Sequence, residues 1–422
     1  MAITLFPTSR LQAEITLPAS KSISNRALII HALANGGKIT KDSFGTVLKN
    51  ISDCDDTFVM VRALTQMPDT IDIKAAGTAM RFLTAYLSVT PGTHIITGTE
   101  RMRHRPIGIL VDALRQLGAQ VEYAGKEGFP PLCITGGNHK GGRLELPGNV
   151  SSQYISALLM IGPVLEEGIS LTLTGDIVSR PYIEMTLSIM RDFGAQAEWI
   201  SSEELKVMPG GYQTTPYLIE NDWSASSYWY EMIALAEDNT PTIVLPGLFS
   251  RSLQGDSAIA DIFRPLGIVT SFVKDTEGLE CVRLTRVGEA CQRMDYDFVN
   301  QPDLAQTLVV TCAMLSIPFR FTGLQSLKIK ETDRMAALQT ELRKLGYVIK
   351  EQDDSILYWE GERCPAQDNP IIDTYEDHRM AMALAPCAMK RGSLRINNPE
   401  VVSKSYPTFW EDLGKAGFKI CR

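Results

Sequence analysis

The sequence predicts an α/β protein built from copies of one unit that contains two helices and several short strands. Two different phrases recur along the 422 residues with a shared period of about 75 residues, which is a sign of internal duplication. The composition, 44% apolar and 21% charged, is that of a globular chain. Together these observations favour a folded, repetitive α/β architecture over a disordered or fibrous one.

The first repeated phrase is an amphipathic helix that ends at a glycine and is followed by a strand-like run. Glycine supplies the left-handed residue that commonly ends a helix, and the alternating residues after it indicate a strand. Successive glycines are 71 to 79 residues apart. The copies are LVDALRQLGAQVEY, TLSIMRDFGAQAEW, IADIFRPLGIVTSF, LQTELRKLGYVIKE and FWEDLGKAGFKICR, with Gly118, Gly194, Gly267, Gly346 and Gly417.

The second phrase is a polar turn that opens a helix of small apolar residues. Successive copies are 74 to 76 residues apart. Helices that are apolar on every side are buried, so we expect these helices at the centre of each domain, with their polar first turns converging between domains. The copies begin at Thr78, Ser152, Ser227, Asp303 and His378, and SKSISNRALIIHAL adds a sixth at Ser20.

The first repeat is shorter than the others. Lys21 and Thr78 are only 57 residues apart, and TFVMVRALTQM runs into PDTIDIKAAGTAM with almost no strand material between. We therefore expect this repeat to lack about one hairpin. Six units account for nearly the whole chain, and two domains of three units each fit ordinary domain sizes.

Charge, hydropathy and cysteine usage exclude several classes of protein. A net charge of −8 argues against a general nucleic-acid binder. The chain has no apolar run of about 18 residues, and MAITLFPTSRLQAEI lacks the pattern of a signal peptide, so we expect a cytoplasmic protein. The eight cysteines are scattered without a CxxC pair, and the five histidines show no ligand spacing, which argues against a disulfide framework or a metal site.

Several of the predicted helix starts combine cations with hydroxyl groups. A helix N-terminus attracts anions through its free N–H groups. Lys21, Ser22 and Arg26 form such a set in LPASKSISNR, suited to a phosphate or carboxylate. The alternative is that Ser22 and Ser24 only cap the helix and that Lys21 lies on the surface. Further candidates, each with an ordinary capping or surface role as its alternative, are Gly77, one of Arg101, Arg103 and Arg105, the run Ser151, Ser152 and Gln153, then Ser179 with Tyr182, and Lys404.

Acidic residues accompany cations at three later helix starts. Asp303 precedes an apolar helix as either a cap or a general base. IKETDR, residues 329–334, is either a solvated first turn or a charged catalytic group. Arg379, in YEDHRMAM, needs an anionic partner at the start of a buried helix. The sum indicates a site for small polyanions, with Asp303 and Glu331 as its base and acid.

These segments, in order and spacing, resemble the 5-enolpyruvylshikimate-3-phosphate synthase family. The resemblance rests on LPASKSISNRA, GTAMRF, RMRHRPIGILVDALRQLGA, LPGNVSSQY, SRPYIEMT, QPDLAQT, IKETDRM and YEDHRMAM. It implies an inside-out α/β barrel of two domains, each with three βαβαββ-type units, and an active site in the cleft between them. The implied domains are 1–18 with 222–422, and 19–221.

The resemblance also implies a reaction. Family members transfer the enolpyruvyl group of phosphoenolpyruvate to the 5-hydroxyl of shikimate 3-phosphate by addition and elimination, on the route to chorismate and aromatic amino acids, without metal or organic cofactor. They are commonly monomeric, and glyphosate competes with phosphoenolpyruvate.

The family pattern assigns a role to each matching residue. The implied catalytic residues are Asp303 as base, Glu331 as acid, and Lys21. The implied shikimate 3-phosphate ligands are Lys21, Ser22, Arg26, Ser151, Ser152, Gln153, Ser179, Asp303 and Lys330. The implied phosphoenolpyruvate ligands are Lys21, Gly77, Arg105, Gln153, Arg334, Arg379 and Lys404. Asp333 is left as a structural cap.

The chain departs from the family pattern at Ala75 and Ser326, where the family usually has asparagine, at Ala19, where it has glycine, and in the short first repeat. These departures keep open a catalytically impaired anion-binding homologue. A UDP-N-acetylglucosamine enolpyruvyl transferase is the other alternative. That family carries Lys-Asn where this chain has Lys21-Ser22, and a loop cysteine where none lies between Cys54 and Cys133.

Overall fold

The computed structural model describes residues 2–37, 39–40 and 46–422. The chain divides into two compact units. One, here called the split unit, comprises Met1–Pro18 and Glu220–Arg422, and the other, the inserted unit, comprises Ala19–Ile219. The first crossing coincides with the expected boundary after residue 18, and the second lies two residues before the boundary expected at 222.

The strands are short, and most belong to small mixed sheets. Their bounds are β1 Ala2–Phe6, β2 Gln12–Glu14, β3 Leu48–Lys49, β4 Thr70–Asp72, β5 Gly92–Thr97, β6 Gln120–Tyr123, β7 Leu132–Gly136, β8 Gly142–Pro147, β9 Ile169–Thr174, β10 Ala197–Trp199, β11 Glu204–Val207, β12 Tyr217–Leu218, β13 Thr242–Pro246, β14 Ile268–Lys274, β15 Glu280–Arg286, β16 Met294–Asp297, β17 Phe319–Thr322, β18 Lys350–Gln352, β19 Ile356–Trp359, β20 Ile371–Ile372, β21 Leu394–Asn397 and β22 Lys419–Cys421.

Within the described residues, five four-stranded sheets share one topology, in which a parallel pair is extended by two antiparallel strands. These two strands form a hairpin in four of the sheets and are β1 and β22 in the fifth. The orders are β4-β5-β7-β6, β8-β9-β11-β10, β2-β13-β15-β14, β16-β17-β19-β18 and β20-β21-β1-β22. In the last of these, the N-terminal strand β1 lies between two C-terminal strands, so it joins Met1–Pro18 to the split unit. The sheets are therefore mixed, as in an α/β fold.

One further sheet of the described chain has only two strands. β3 and β12 pair in parallel, with Tyr217 opposite Leu48. This parallel pair corresponds to half of the common topology. β3 precedes α2 in the first repeat, and β12 lies near the end of the inserted unit.

The helices alternate with these strands. Their bounds are α1 Lys21–Ala34, α2 Asp55–Gln66, α3 Gly77–Ser88, α4 Glu100–Arg103, α5 Gly108–Gln116, α6 Ser152–Ile161, α7 Arg180–Asp192, α8 Trp223–Leu235, α9 Ile259–Ile262, α10 Ala305–Leu315, α11 Arg334–Lys344, α12 His378–Leu384, α13 Ala388–Arg391 and α14 Phe409–Lys415.

The helices of the second phrase lie in the core, as their composition predicts. Every residue of α3, α8 and α12 is buried except Ser224, which is half-buried. Large and small side chains alternate on these helices, and α3 packs on α6 while α8 packs on α10. The apolar residues of these helices fill the interior. The polar residues that begin the helices lie at the helix ends, where they could contact a ligand.

The helices of the first phrase end as predicted at glycines in the left-handed region. The φ angles of Gly118, Gly194, Gly267, Gly346 and Gly417 lie between 81° and 102°. One prediction is wrong in detail. In IADIFRPLG the α-helix α9 has only four residues and continues as the 3-10 turn Arg264–Leu266, because Pro265 has no N–H to extend an α-helical ladder.

Candidate functional site

A network of four cations and three carboxylates lies in the split unit, and Arg334 is at its centre. Arg334 begins α11 and is 2% exposed. Its Nε and Nη2 donate to the two carboxylate oxygens of Asp377, at 2.7 and 3.3 Å. It also donates through Nη1 to Asp303, at 3.1 Å, and through Nη2 to Glu331, at 2.9 Å. A buried guanidinium needs such partners, and its planar fork matches carboxylates in pairs.

Asp303 is the carboxylate that contacts the largest number of cations in this network. It lies in the 3-10 turn Pro302–Leu304 that leads into α10. Its Oδ2 accepts from Arg379 Nη2 at 3.0 Å, and its Oδ1 is 3.5 Å from Lys330 Nζ in addition to the bond from Arg334. Asp303 is therefore a fully paired carboxylate and does not act as a simple helix cap.

Glu331 joins the same network from the other side. Its Oε2 accepts from Arg334, and its Oε1 accepts from Lys404 Nζ at 2.6 Å. Lys404 is the last residue of the 3-10 segment Pro399–Lys404. The predicted acid, base and three predicted phosphoenolpyruvate cations are thus brought together in one unit.

The charges of this network shift its proton equilibria. Burial raises the pKa of the Asp303 carboxyl, but Arg379, Lys330 and Arg334 outweigh that effect and hold the pKa far below its usual range. Burial lowers the pKa of Arg334, but Asp377, Glu331 and Asp303 raise it by more. Asp303 and Arg334 are therefore both ionised at neutral pH, so an incoming anion competes with Asp303 for the cations around it.

Asp256 is a carboxyl that the sequence reasoning did not single out. It lies in the 3-10 segment Gly255–Ala258, is 2% exposed, and accepts a hydrogen bond from Ser224 Oγ through Oδ2. Oδ1 has no hydrogen-bond partner in the described chain. Burial, followed by the nearby charge of Asp303, raises the pKa of Asp256 to about 7. No motif marks it in the sequence, because its proximity to Asp303 depends on tertiary packing.

The inserted unit has its own set of predicted residues, beginning with Lys21. Lys21 is the first residue of α1, capped by Ser20, whose hydroxyl accepts from Ile23 N. Its Nζ is 3.2 Å from the buried carboxylate of Asp56, near the start of α2. Asp56 was not predicted, and the only sequence signal for it is an acidic pair in the first turn of a helix. This contact orients the lysine at the helix end.

Gly77 has a steric reason to be glycine. It begins α3, and a Cβ at this position would lie 2.6 Å from Nη1 of Arg105 and 2.7 Å from Nη1 of Arg81. Arg81 is buried and donates to the Gly77 carbonyl at 2.8 Å, while Arg105 is half-buried. Two guanidinium groups therefore reach the first turn of α3. Arg101 and Arg103, the other two candidate arginines, are exposed.

Gln153 connects two of the predicted helix starts. It is the second residue of α6, behind Ser151 as N-cap and Ser152 as first residue. Its Nε2 donates to the Thr78 hydroxyl at 3.1 Å, on the first turn of α3. The first turns of α3 and α6 therefore lie side by side and present hydroxyl, amide and backbone N–H groups together.

Arg26 lies deeper than the sequence suggested. It is 2% exposed, in the second turn of α1, and its nitrogens donate to the hydroxyls of Thr186 and Ser156 and to the carbonyls of Ser22 and Tyr182. Burial lowers its pKa to about 10, so it stays charged at neutral pH. Arg26 joins α1, α6 and α7 beneath the helix ends. It does not lie at a helix start with Lys21.

The remaining predicted residues lie at helix ends. Ser22 is the second residue of α1, and Ser179 is the N-cap residue of α7, with φ of 55° and no side-chain cap bond. Asp333 caps α11 by accepting from Ala336 N at 3.1 Å, as predicted. The prediction that IKETDR opens a helix is wrong for its first residues, because α11 begins only at Arg334. Lys330 and Glu331 lie in the preceding turn.

Other kinds of site find no support in the described ranges. No group of three or more His, Cys, Asp or Glu side chains among the described residues is placed to hold a metal ion. No helix in the described part of the chain is long and apolar enough to span a membrane. The two sets described above can bind anions, and the split-unit set can also exchange protons through its carboxylates.

Comparisons with known proteins place this chain in one family. The family model described as EPSP synthase (3-phosphoshikimate 1-carboxyvinyltransferase) matches residues 5–72 and 64–413. A 3-phosphoshikimate 1-carboxyvinyltransferase of Bacteroides fragilis (strain YCH46) is 58% identical over 420 residues, covering 100% of this chain and 99% of that protein. A protein of the same name from Sulfurovum sp. (strain NBC37-1) is 35% identical over 441 residues, covering 98% of each.

Solved structures agree at the level of fold. The EPSP synthase of Acinetobacter baumannii matches with a TM-score of 0.77 at 21% identity over 100% of both chains. The enolpyruvyl transferase NikO of Streptomyces tendae matches with a TM-score of 0.71 at 15% identity, covering 99% of this chain and 98% of that one. With the full-length family match, these findings show that the chain belongs to the EPSP synthase (3-phosphoshikimate 1-carboxyvinyltransferase) family.

Proposed function

We propose that this protein transfers the enolpyruvyl group of phosphoenolpyruvate to the 5-hydroxyl of shikimate 3-phosphate, with release of phosphate. The observation that carries the proposal is the split-unit network, in which Asp303 and Glu331 share Arg334 and each holds at least one further cation. The reaction needs one group that accepts a proton and another that donates one, both beside charges that hold an anionic substrate. This network supplies all of these groups.

The cations of the network suit phosphoenolpyruvate, which carries a phosphate and a carboxylate. Arg334 and Arg379 are suited to paired bonds with planar or tetrahedral oxyanions, and Lys404 offers a point charge. When the substrate takes these cations, it displaces Glu331 from Lys404 and Asp303 from Arg379. Binding is therefore an exchange of anions, and it changes the electrostatic surroundings of both carboxylates at the same time.

The inserted unit supplies the remaining ligands in this proposal. Ser22, Arg26, Ser151, Ser152, Gln153 and Ser179, together with Lys330 and Asp303 from the split unit, bind shikimate 3-phosphate. Lys21, Gly77, Arg105 and Gln153 bind phosphoenolpyruvate. Their support is the set of helix ends at Lys21, Gly77 and Ser152, whose positive helix-dipole ends favour phosphate, with the cations Lys21, Arg81 and Arg105 nearby.

The chemistry follows from these positions. Protonated Glu331 donates its proton to the methylene carbon of phosphoenolpyruvate, while Asp303 accepts the proton of the attacking 5-hydroxyl. The new C–O bond gives a tetrahedral intermediate. Glu331, now a carboxylate, takes a proton back from the methyl group, which restores the double bond and expels phosphate, and Asp303 gives its proton to the departing phosphate. Lys21 and the arginines stabilise the charge on the leaving phosphate. No bond or electron in these steps requires a cofactor.

The finer features of the family are part of the same proposal. We infer an inside-out barrel built from six related units, one of them shortened, since five sheets of the described chain repeat one topology and a sixth keeps only its parallel pair. We also infer a cytoplasmic, monomeric enzyme of the shikimate pathway that needs no metal and is inhibited by glyphosate in competition with phosphoenolpyruvate. These inferences rest on the family assignment.

The test is a comparison of acceptors with purified protein. Phosphate release from phosphoenolpyruvate is measured with shikimate 3-phosphate, with UDP-N-acetylglucosamine and with neither, and the organic product is identified by mass spectrometry. We expect release only with shikimate 3-phosphate and a product heavier by one enolpyruvyl group. Release only with the nucleotide sugar would support the alternative transferase, and no release from folded protein would support an impaired homologue. An Asp261→Asn variant is the control, because Asp261 forms an exposed ion pair with Arg264 outside the network.

A further inference from the structure

A strained turn precedes the carboxylate that holds Arg334. Tyr375 and Glu376 have φ angles of 54° and 55°, and Asp377 N donates to Thr374 O at 2.8 Å. Two successive left-handed residues closed by this hydrogen bond are the geometry of a type I′ turn, which favours Asn-Gly. Tyrosine and glutamate are poorly suited to it, so the surroundings must hold the turn in place.

The hydroxyl of Tyr375 supplies that hold. It donates to Oε1 of Glu341 at 2.6 Å, and Glu341 is 0% exposed. Oε2 of the same carboxylate accepts from Asp373 N at 3.2 Å and pairs with Lys344 at 2.8 Å. Lys344 also donates to the Ile371 carbonyl at 2.9 Å. The segment that leads into the turn is thus fastened to α11 at several points.

The same helix holds the turn on both sides. Glu341 lies two helical turns after Arg334, about 10 Å along the axis and on the same face of α11. Arg334 binds Asp377 just after the turn, while Glu341 binds Tyr375 inside it and Asp373 before it. Two anchors at this spacing set both the position and the angle of the turn against α11.

The position of Asp377 in turn determines the positions of Arg334 and Arg379. Its two oxygens hold Arg334, and Oδ1 also accepts from Arg379 N at 2.9 Å, where Asp377 caps α12. A rotation of the turn would therefore move the Arg334 guanidinium and the first turn of α12 together.

We propose that Tyr375 and Glu341 are positioning residues for the phosphoenolpyruvate site. Their hydrogen bond holds the left-handed turn, the turn sets Asp377, and Asp377 orients the two arginines. Tyr375 and Glu341 act on the substrate only through these groups. The proposal rests on the proposed function, since it takes the arginine pair as the phosphoenolpyruvate ligands.

The test first removes the Tyr375 hydroxyl and then replaces Glu376 by glycine, which relieves the strain that the hydroxyl is proposed to balance. Tyr375→Phe is expected to raise the KM for phosphoenolpyruvate about tenfold, the size of one lost hydrogen bond to a charged group, with little change in the KM for shikimate 3-phosphate. Glu376 is exposed, and glycine suits its position in the turn. Glu376→Gly alone should leave both KM values unchanged. In the double variant it should restore most of the phosphoenolpyruvate KM, because an unstrained turn no longer depends on the hydroxyl.

Matched variants separate this role from general stability. Tyr230→Phe removes a hydroxyl that is hydrogen-bonded to Thr270 at 2.8 Å in the same unit, and it should leave the KM for phosphoenolpyruvate unchanged. If Tyr375→Phe does not fold, as judged by circular dichroism and thermal melting, Glu341→Gln replaces it. That variant keeps an oxygen acceptor without its charge and should raise the same KM by about threefold.

Each outcome has one reading. An unchanged phosphoenolpyruvate KM in Tyr375→Phe, beside a large increase in Arg379→Gln, overturns the positioning role and leaves the site assignment intact. Unchanged values in both variants overturn the site assignment itself. A raised KM that Glu376→Gly fails to restore also overturns the proposal, because the hydroxyl would then act other than through the strained turn.

Discussion

Replacing Asp303 by asparagine separates the two roles that the structure gives to this residue. As the proposed base, Asp303 accepts the proton of the attacking hydroxyl. As a network member, it occupies Arg379, Lys330 and one arm of Arg334. Asparagine keeps the size and one acceptor oxygen but removes the charge. The variant should therefore lose rate and gain affinity for the anionic substrate at the same time.

The two magnitudes follow from the contacts. Loss of general base catalysis reduces kcat by roughly 10²–10⁴-fold. The gain in affinity is smaller, because Arg334 loses only the charge beside Nη1 and keeps its two bonds to Asp377, while Arg379 and Lys330 lose the charge of Asp303. A charge-assisted hydrogen bond contributes about 1.5 kcal/mol or more, so phosphoenolpyruvate should bind about tenfold more tightly.

Phosphate release gives the rate, and titration calorimetry in the presence of saturating shikimate 3-phosphate gives the dissociation constant of phosphoenolpyruvate. The slow variant makes the second measurement possible without turnover. Asp261→Asn is the control for loss of a surface carboxylate in the same unit. A kcat within about fivefold of the wild type would refute Asp303 as the base. Weaker binding of phosphoenolpyruvate would refute the anion exchange.

Three further outcomes are expected. Glu331→Gln should lower kcat by roughly 10²–10⁴-fold in the phosphate assay while the dissociation constant of shikimate 3-phosphate, measured by calorimetry, stays close to that of the wild type; lost binding would show that Glu331 is architectural. Gly77→Ala should raise the KM for phosphoenolpyruvate by roughly tenfold to a hundredfold, because the new Cβ displaces Arg105 and Arg81, and an unchanged KM would count against this contact. Asp256, whose pKa burial raises to about 7, is protonated in the folded state at pH values where the unfolded chain has lost that proton. Its contribution to stability is thus complete below about pH 4 and is lost as the pH rises through 7, so the free energy of unfolding should fall by roughly 2–3 kcal/mol between pH 5 and 8 relative to Asp256→Asn. Urea unfolding of both proteins at the two pH values measures this, and parallel pH profiles would contradict it.

The local part of the fold could be predicted from the sequence because the same signals recur. A glycine such as Gly118 ends each amphipathic helix in the left-handed region, and apolar stretches such as α10 fill the interior. Strand pairing was not predictable at this level. The position of β1 between β21 and β22 joins residues at opposite ends of the chain, and no local pattern encodes that contact.

The site could be predicted where cations and carboxylates stand in motifs, and not where burial decides their roles. The motifs QPDLAQT and IKETDR mark Asp303, Glu331 and Arg334, and the structure brings these three charged residues together. Asp256 looks like an ordinary loop residue in the sequence, and LPASKSISNR suggests that Arg26 lies at a helix start with Lys21, yet both residues are buried. Only the three-dimensional packing reveals that Arg26 has four protein acceptors and that Asp256 is close enough to Asp303 to interact with it.

The most direct test of the central claim is a crystal structure of the inactive Glu331→Gln variant with shikimate 3-phosphate and phosphoenolpyruvate. We expect phosphoenolpyruvate oxygens within hydrogen-bonding distance of Arg334, Arg379 and Lys404, and an Asp303–Arg379 contact that has opened. Phosphoenolpyruvate bound elsewhere, with that contact still closed at about 3 Å, would contradict it.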